Sequence, residues 1–205
     1  MLLKYWTKNK RQSFVSLDSI LWGVLPSRTL HYLYPFSPEQ EISDAQAEEL
    51  KAALEARAWW LITEYLAKSE HSEHQCRAYL KKHSFHPSIA DKCIALCKAK
   101  GYLDDHRFAE IYIRSMLERG KSRRAIIQKL SEHRIPPEAL SALFEEQEEP
   151  QQSLDLLKEQ ISRLLWKHRA QEPRKAKEKV YASLYRKGFT LEDIGEAWRE
   201  LQRDD

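Results

Sequence analysis

Glycine is scarce, with five residues in a chain of 205. So few cannot supply most phosphate-cradling loops, which gather several glycines in one turn, and they argue against a sheet-rich architecture. Long hydrophobic runs are missing too. No stretch approaches the roughly 18 apolar residues that a membrane helix needs. The opening MLLKYWTKNKRQSF lacks the long apolar core and small-residue cleavage site of a secretion signal. The expected location is therefore the cytoplasm, with no membrane contact. Cysteine is limited to Cys76, Cys93 and Cys97. In a reducing compartment this odd set serves as small apolar side chains rather than as disulfide partners. Nor does charge of one sign dominate: 34 Lys and Arg against 31 Asp and Glu give a formal net charge of +3, too small to identify a partner.

Catalytic signatures are also absent. GxxxxGKS, HExxH and GxSxG do not occur, and the carboxylates are scattered along helix surfaces. Four histidines and three cysteines fall between His71 and Cys97, but no CxxC pair is among them and Cys76 sits on an apolar helix face. No metal site is expected there. The chain reads as a binding protein without a cofactor, in preference to a small hydrolase or transferase built on the histidine-rich stretch.

What is plentiful is the material of helices. Leu, Ala, Glu, Lys and Arg abound, and 42% hydrophobic with 32% charged residues describes a soluble globular chain with charged helix surfaces. The first forty residues differ. SFVSLD, ILWGVL and TLHYLY are short aromatic or β-branched runs interrupted by Gly23, Pro26, Pro35 and Pro38, which reads as a small hairpin or meander. Ser43 followed three residues later by Gln46 marks a helix start with a capping box. That helix passes through Leu50 and Leu54 towards AWWLITEYLAK.

Beyond it the chain repeats. Ser72 is followed by Cys76, Leu80 and Phe85, and Ser122 by Ile126, Leu130 and Ile135, at identical offsets of four, eight and thirteen. Val180, Leu184 and Phe189 reproduce the spacing of the three apolar members, with Ala176 where serine would stand. Residues four apart share a helix face, and the last member lies beyond the turn, where it can close the corner. Pro87, Pro136 and Pro137 follow two of these turns, and Thr190 with Asp193 caps the helix after the third. An apolar-periodic helix precedes each pair. The predicted fold class is all-α, a tandem array of three three-helix, helix-turn-helix-like repeats behind a small N-terminal β-hairpin or irregular segment. The division is a strand and loop segment over 1–41, a linker helix with the first repeat over 42–100, the second repeat over 101–149 and the third over 150–205. Such an array presents an extended surface suited to a partner that is itself long.

The segment GYLDDHRFAEIYIRSMLERGKSRRAIIQKL, residues 101–130, resembles the central signature of the RecX family: glycine, an aromatic, Leu, two Asp, then Arg-Phe-Ala and a basic helix. Leu80 with Phe85, and KVYASLYRKGFTLEDI from Lys179 to Ile194, are similar to the family's first and third repeats. The likeness covers roughly residues 57 to 200. It implies a protein that lies along a RecA–DNA filament and modulates, usually inhibits, strand exchange and ATP hydrolysis by hindering filament growth or stability. Family members often carry glycine where Ser84 and Arg134 stand, and only Gly188 keeps it. Glycine favours a helix C-cap, so those two turns are expected to be reshaped.

Charge is distributed unevenly. Arg114 to Arg134 holds seven basic residues against Glu118 and Glu132, Glu138 to Glu149 holds five glutamates, and Arg163 to Lys187 holds nine basic residues against Glu172 and Glu178. Basic segments suit phosphates or an acidic protein surface, and they also occur as plain solvated helix faces. Gly101, Tyr102, Leu103 and Asp104 have a structural reading as helix end, joint and cap, with Phe108 beyond them. Asp105 suits a positive helix start, whereas Arg107 there needs a carboxylate, either Asp104 or one on another protein. Arg114, Arg119, Lys121, Arg123 and Arg124 bracket the corner of the second repeat, and with Asp105 and Arg107 they form the candidate contact with RecA. Arg163, Lys167, Arg169, Arg174, Lys175, Lys177 and Lys179 form the candidate phosphate patch for weak, nonspecific DNA contact. Trp166 and Tyr181, interleaved with them, fit core spacing better than base stacking. A monomer is expected. The competing reading is a stand-alone helix-turn-helix DNA-binding regulator, but QKLSEHR offers few groove-reading side chains.

Overall fold

The computed structural model describes residues 1–34, 37–147 and 150–204, with the side chains of 145–147, 150–153 and 204 excepted. Pro35, the acidic side chains from 145 to 149 and the proposed repeat boundary at 149/150 lie outside the described residues. The chain forms two compact units, Met1–Asp105 and His106–Asp205. Most of it is helical. Among the described residues no helix is long and apolar enough to cross a membrane.

The small strand segment expected ahead of the helical repeats is a four-stranded antiparallel sheet, more than a hairpin. Strands β1 (Leu2–Asn9), β2 (Gln12–Leu17) and β3 (Ile20–Pro26) form a meander, and β4 (Glu39–Glu41) returns to pair with β1, giving the order β3-β2-β1-β4. TLHYLY is not a strand. It lies in helix α1 (Ser27–Leu33) and the residue after it, which carry Leu30 and Tyr34 into the core, and the Tyr34 hydroxyl donates to the Gln46 carbonyl at 2.9 Å. Tertiary burial overrides the β-propensity of its aromatics here. Leu3, Val15, Leu17 and Leu25 of the sheet share one core with α2 (Asp44–Leu66). Gly23 is what lets β3 approach that helix: a Cβ there would sit 2.8 Å from Leu54 and 3.0 Å from Phe85.

Helix α2 is continuous for 23 residues, so the linker helix and the first helix of the first repeat are one. Its start carries the Ser43–Gln46 capping box. It packs with α3 (Glu73–Lys82) and α4 (Pro87–Ala99). The second unit holds two helix triplets: α5 (Asp105–Glu118), α6 (Arg123–Glu132) and α7 (Glu138–Gln147), then α8 (Pro150–Lys167), α9 (Pro173–Tyr185) and α10 (Leu191–Asp204). Each triplet has its own apolar cluster, centred on Ile113, Ile126 and Leu130 in one and on Ile161, Val180 and Leu184 in the other.

All the apolar members of the sequence repeat are buried, from Cys76, Leu80 and Phe85 to Val180, Leu184 and Phe189. Their offset of thirteen has a geometric cause. In each repeat the last member returns its amide to the carbonyl of the leucine five residues before it, Phe85 to Leu80 at 3.1 Å, Ile135 to Leu130 at 3.1 Å and Phe189 to Leu184 at 3.3 Å. The residue before it bonds three back, Ser84 to Lys81, Arg134 to Ser131 and Gly188 to Tyr185, each at 2.9 Å. This is the Schellman pattern, in which the residue before the closing one is left-handed. Ser84 (φ 65°), Arg134 (φ 62°) and Gly188 (φ 99°) all are. The expected reshaping does not occur: two turns keep the glycine conformation with a side chain in place, because the two hydrogen bonds and the buried apolar closure outweigh the local strain.

Candidate interaction surface

The signature segment sits where α4 ends and α5 begins. Gly101 is left-handed at φ 70°, and Tyr102 returns its amide to Cys97 at 2.9 Å. Tyr102 stacks on Trp59 with ring centroids 6.0 Å apart, while Leu103 is buried in the first core. Asp104 immediately precedes α5 and is exposed. Asp105 has a task at another helix: its carboxylate accepts the Glu73 amide at 2.7 Å, at the start of α3. Glu73 in turn binds Arg77 and Lys98, each at 2.8 Å, and the Lys98 hydrogen bond, with that of Arg77, holds its carboxyl below the ordinary range. Arg107 is half-buried in the first turn of α5, and Phe108 belongs to the second core.

The corner between α5 and α6 carries the densest part of the second repeat's charge. Arg114 pairs with Glu110 at 2.8 Å, Arg119 and Arg124 are exposed, and the Arg123 guanidinium lies 4.7 Å from the centre of the Phe144 ring. Ser122 is buried and caps α6 through the Ala125 amide at 3.2 Å. Arg123 and Arg124 line a concavity of about 480 Å³ together with Leu157, Phe189, Asp193 and Glu196. These arginines therefore share a concavity with two carboxylates of the third repeat.

The third-repeat cations divide by what they touch. The Arg169 guanidinium lies 3.9 Å from the Trp166 ring centre and donates to the Trp166 carbonyl, and Lys177 lies over Tyr181 and Trp198 at 5.7 and 5.1 Å. Trp166 is 67% exposed, so it is not the core residue that its spacing suggested, whereas Tyr181 packs against the third core. Arg174 pairs with Glu178 at 3.4 Å and Lys175 with Glu172 at 3.9 Å. Arg163, Lys167 and Lys179 are exposed.

One cation outside both candidate sets joins them. Lys187, at the end of the third-repeat turn, is half-buried and donates to the Gln160 side chain. Burial first, then the charges of Arg163 and Lys121, push its ammonium below the ordinary lysine range. Lys121 belongs to the second-repeat set and Arg163 to the third, so the two basic segments meet at Lys187. Its neighbour Arg186 lines a further concavity with Lys121 and Lys129. Sequence counting includes Arg186 and Lys187 in the basic run, but proximity across repeats leaves no local signal.

Comparison with known proteins gives these positions a context. A family model described as "RecX, second three-helix domain" matches residues 104–142, and "RecX, third three-helix domain" matches 151–198. Regulatory protein RecX of Listeria monocytogenes is 25% identical over 161 residues, covering 78% of this chain and 60% of that protein. Regulatory protein RecX of Staphylococcus carnosus is 29% identical, covering 69% and 52%, and that of Vibrio vulnificus is 28% identical, covering 63% and 82%. The chain thus spans between about half and two thirds of the length of the Listeria and Staphylococcus relatives. A crystal structure of regulatory protein RecX superposes with a TM-score of 0.63 at 20% identity, covering 98% of this chain and 99% of that one. RecX from Lactobacillus salivarius superposes at 0.61 with 18% identity, covering 72% and 96%. At such identities the structural likeness is one of fold, but the domain models and the relatives agree on one family. This chain is similar to the RecX family across its second and third helix triplets.

Proposed function

We propose that this chain acts in the cytoplasm as a monomeric regulator that binds the RecA filament on DNA. It lowers the recombinase's ATPase, strand exchange and filament growth in recombinational DNA repair and the SOS response, and it catalyses no reaction of its own. The observation that carries this reading is the joint between the two repeats that the family models match, where the Ser122 amide donates to the Lys187 carbonyl at 3.2 Å and Lys121, Lys129 and Arg186 line one concavity. A partly exposed cationic joint on a helical repeat suits an acidic protein face and the phosphates running beside it. In this reading the second-repeat set, from Asp105 and Arg107 to Arg124, contacts RecA, and the third-repeat patch touches DNA weakly and without regard to sequence.

The test is RecA ATPase on single-stranded DNA, with and without the protein. Substoichiometric amounts should lower the rate, because one molecule seated along or at the end of a filament acts on many protomers. An unchanged rate with RecA from the same organism, at equimolar protein and moderate salt, overturns the proposal. Sequence-selective DNA binding that survives about 200 mM salt, where nonspecific phosphate binding is largely lost, marks the helix-turn-helix regulator instead.

A further inference from the structure

The N-terminal sheet holds a second charged surface, in a part of the chain that the recombinase reading leaves without a task. At one end of the β1–β2 hairpin, Lys10 and Arg11 converge with Arg28 of α1 and Arg57 of α2 around a surface concavity of about 650 Å³, completed by Gln12, Pro26 and Ser27. The fold builds this corner deliberately. Gln12 pairs with Pro26 in the ladder, the Ser27 amide donates to the Arg11 carbonyl at 3.0 Å, and the Ser13 and Ser27 hydroxyls are 2.9 Å apart. Those bonds fix the hairpin turn beside α1. Arg57 follows one turn after Leu54, the side chain that β3 contacts through Gly23, and its guanidinium rests 4.4 Å from the centre of the Trp60 ring.

The charge here is uncompensated. Elsewhere in the first unit half of the cations find carboxylates: Lys4 with Glu39, Lys51 with Glu48, Arg77 with Glu73 and Asp91, Lys92 with Glu55, Lys98 with Glu73. Among the described residues Lys8, Lys68, Lys81, Lys82 and Lys100 do not, but only at this corner do four unpaired cations line one concavity. None of the four around this concavity lies within salt-bridge distance of a carboxylate among the described residues. Like charges held together cost stability unless an anion joins them. Three of the four are arginines, whose planar fork suits two oxygens of one phosphate. The concavity is fed from three elements and is larger than a single phosphate requires. Trp60, 48% exposed beside Arg57, offers a face on which a base can stack.

We infer that this corner is a polynucleotide-backbone site, in which Lys10, Arg11, Arg28 and Arg57 bind successive phosphodiesters of a single strand and Trp60 takes a neighbouring base. It is separate from the third-repeat patch and does not depend on the recombinase reading. A chain without effect on RecA would still bind a strand here.

The experiment is fluorescence anisotropy of a labelled oligo-dT strand with the full chain across a salt series. The variants are the triple Lys10→Gln/Arg11→Gln/Arg28→Gln, the charge-preserving Lys10→Arg/Arg11→Lys/Arg28→Lys, and Lys167→Gln/Lys179→Gln in the second unit. Neutralising three phosphate contacts should flatten the log–log salt dependence by about 2, at roughly 0.7 per contact on a single strand, and weaken binding at least about tenfold at low salt. The charge-preserving variant should bind as the parent does, and Trp60→Ala should weaken binding without changing the slope. Unchanged affinity and slope in the neutralised triple overturn the site. Preferential binding of poly-glutamate over oligo-dT, lost in the same triple, also overturns it and identifies an acidic protein segment as the occupant.

Discussion

At the residue scale, three helix ends share one conformation and differ in what occupies it. Ser84 and Arg134 are left-handed with a Cβ, and Gly188 is left-handed without one. A Cβ in that region costs roughly 1–2 kcal/mol, part of which glycine returns through a more flexible unfolded chain. Ser84→Gly and Arg134→Gly should each stabilise the protein by about 0.5–1 kcal/mol, read as a higher urea midpoint at unchanged slope. Gly188→Ala should do the reverse and cost more than about 2 kcal/mol. A Cβ there adds contacts of 2.4 Å to the Ala125 side chain and 2.5 Å to the Ser122 hydroxyl to the strain of φ +99°. A second residue-scale prediction concerns His71, whose ring stacks on Tyr65 at 3.7 Å. Burial, against weaker opposing hydrogen bonds, lowers its pKa from the ordinary 6.5. The folded protein therefore binds this proton less readily than the unfolded chain. The stability involved is whole above pH 6.5 and falls away as the pH drops from there to the lowered value. His71→Phe keeps the stacking and should flatten the fall in urea midpoint between about pH 7.5 and 5.5, the window around an ordinary histidine.

At the element scale, helix starts explain why the third repeat departs from the first two. Ser72 and Ser122 are N-caps, the first in a reciprocal capping box with Gln75. Ala176 cannot cap, and α9 accordingly begins a turn earlier at Pro173, leaving Ala176 as a buried interior residue. Ser122→Ala should cost about 1 kcal/mol in thermal or urea unfolding, while Ala176→Ser should gain nothing and lose about 0.5 kcal/mol. The repeat phase was legible from sequence because one spacing encodes both a helix face and a Schellman closure. Asp105 was legible as a first-turn carboxylate, but not as the acceptor for Glu73 on another helix. β1 leaves little trace in the sequence because LLKYWTKN alternates only weakly, and β4, Glu-Gln-Glu, has no strand composition at all and exists by pairing with β1. Charge density in the candidate surface could be counted along the chain. The approach of Lys121 and Arg163 to Lys187 could not, because it is made by packing between repeats.

At the scale of the whole molecule, the second unit combines the proposed interaction surface with its own structural joint. Arg123 and Arg124 are exposed yet share a concavity with Asp193 and Glu196, so glutamates placed there would repel the third repeat. Neutral substitution separates the roles. Arg123→Gln/Arg124→Gln should shift unfolding stability by about 1 kcal/mol or less while weakening inhibition of RecA by about tenfold or more, measured as paired melting curves and inhibition constants. A collapse of the melt would assign both arginines to the fold. That joint also bears on the order in which the chain is made. The buried Ser122 donates its amide to the carbonyl of Lys187 at 3.2 Å, and the turn it meets is sealed by Gly188. A nascent chain leaving the ribosome therefore has the whole second triplet in hand before the acceptor for its central helix has been translated. The middle repeat reaches its final bonding only when the last one arrives, so a premature stop in α9 damages a repeat that is itself complete in sequence.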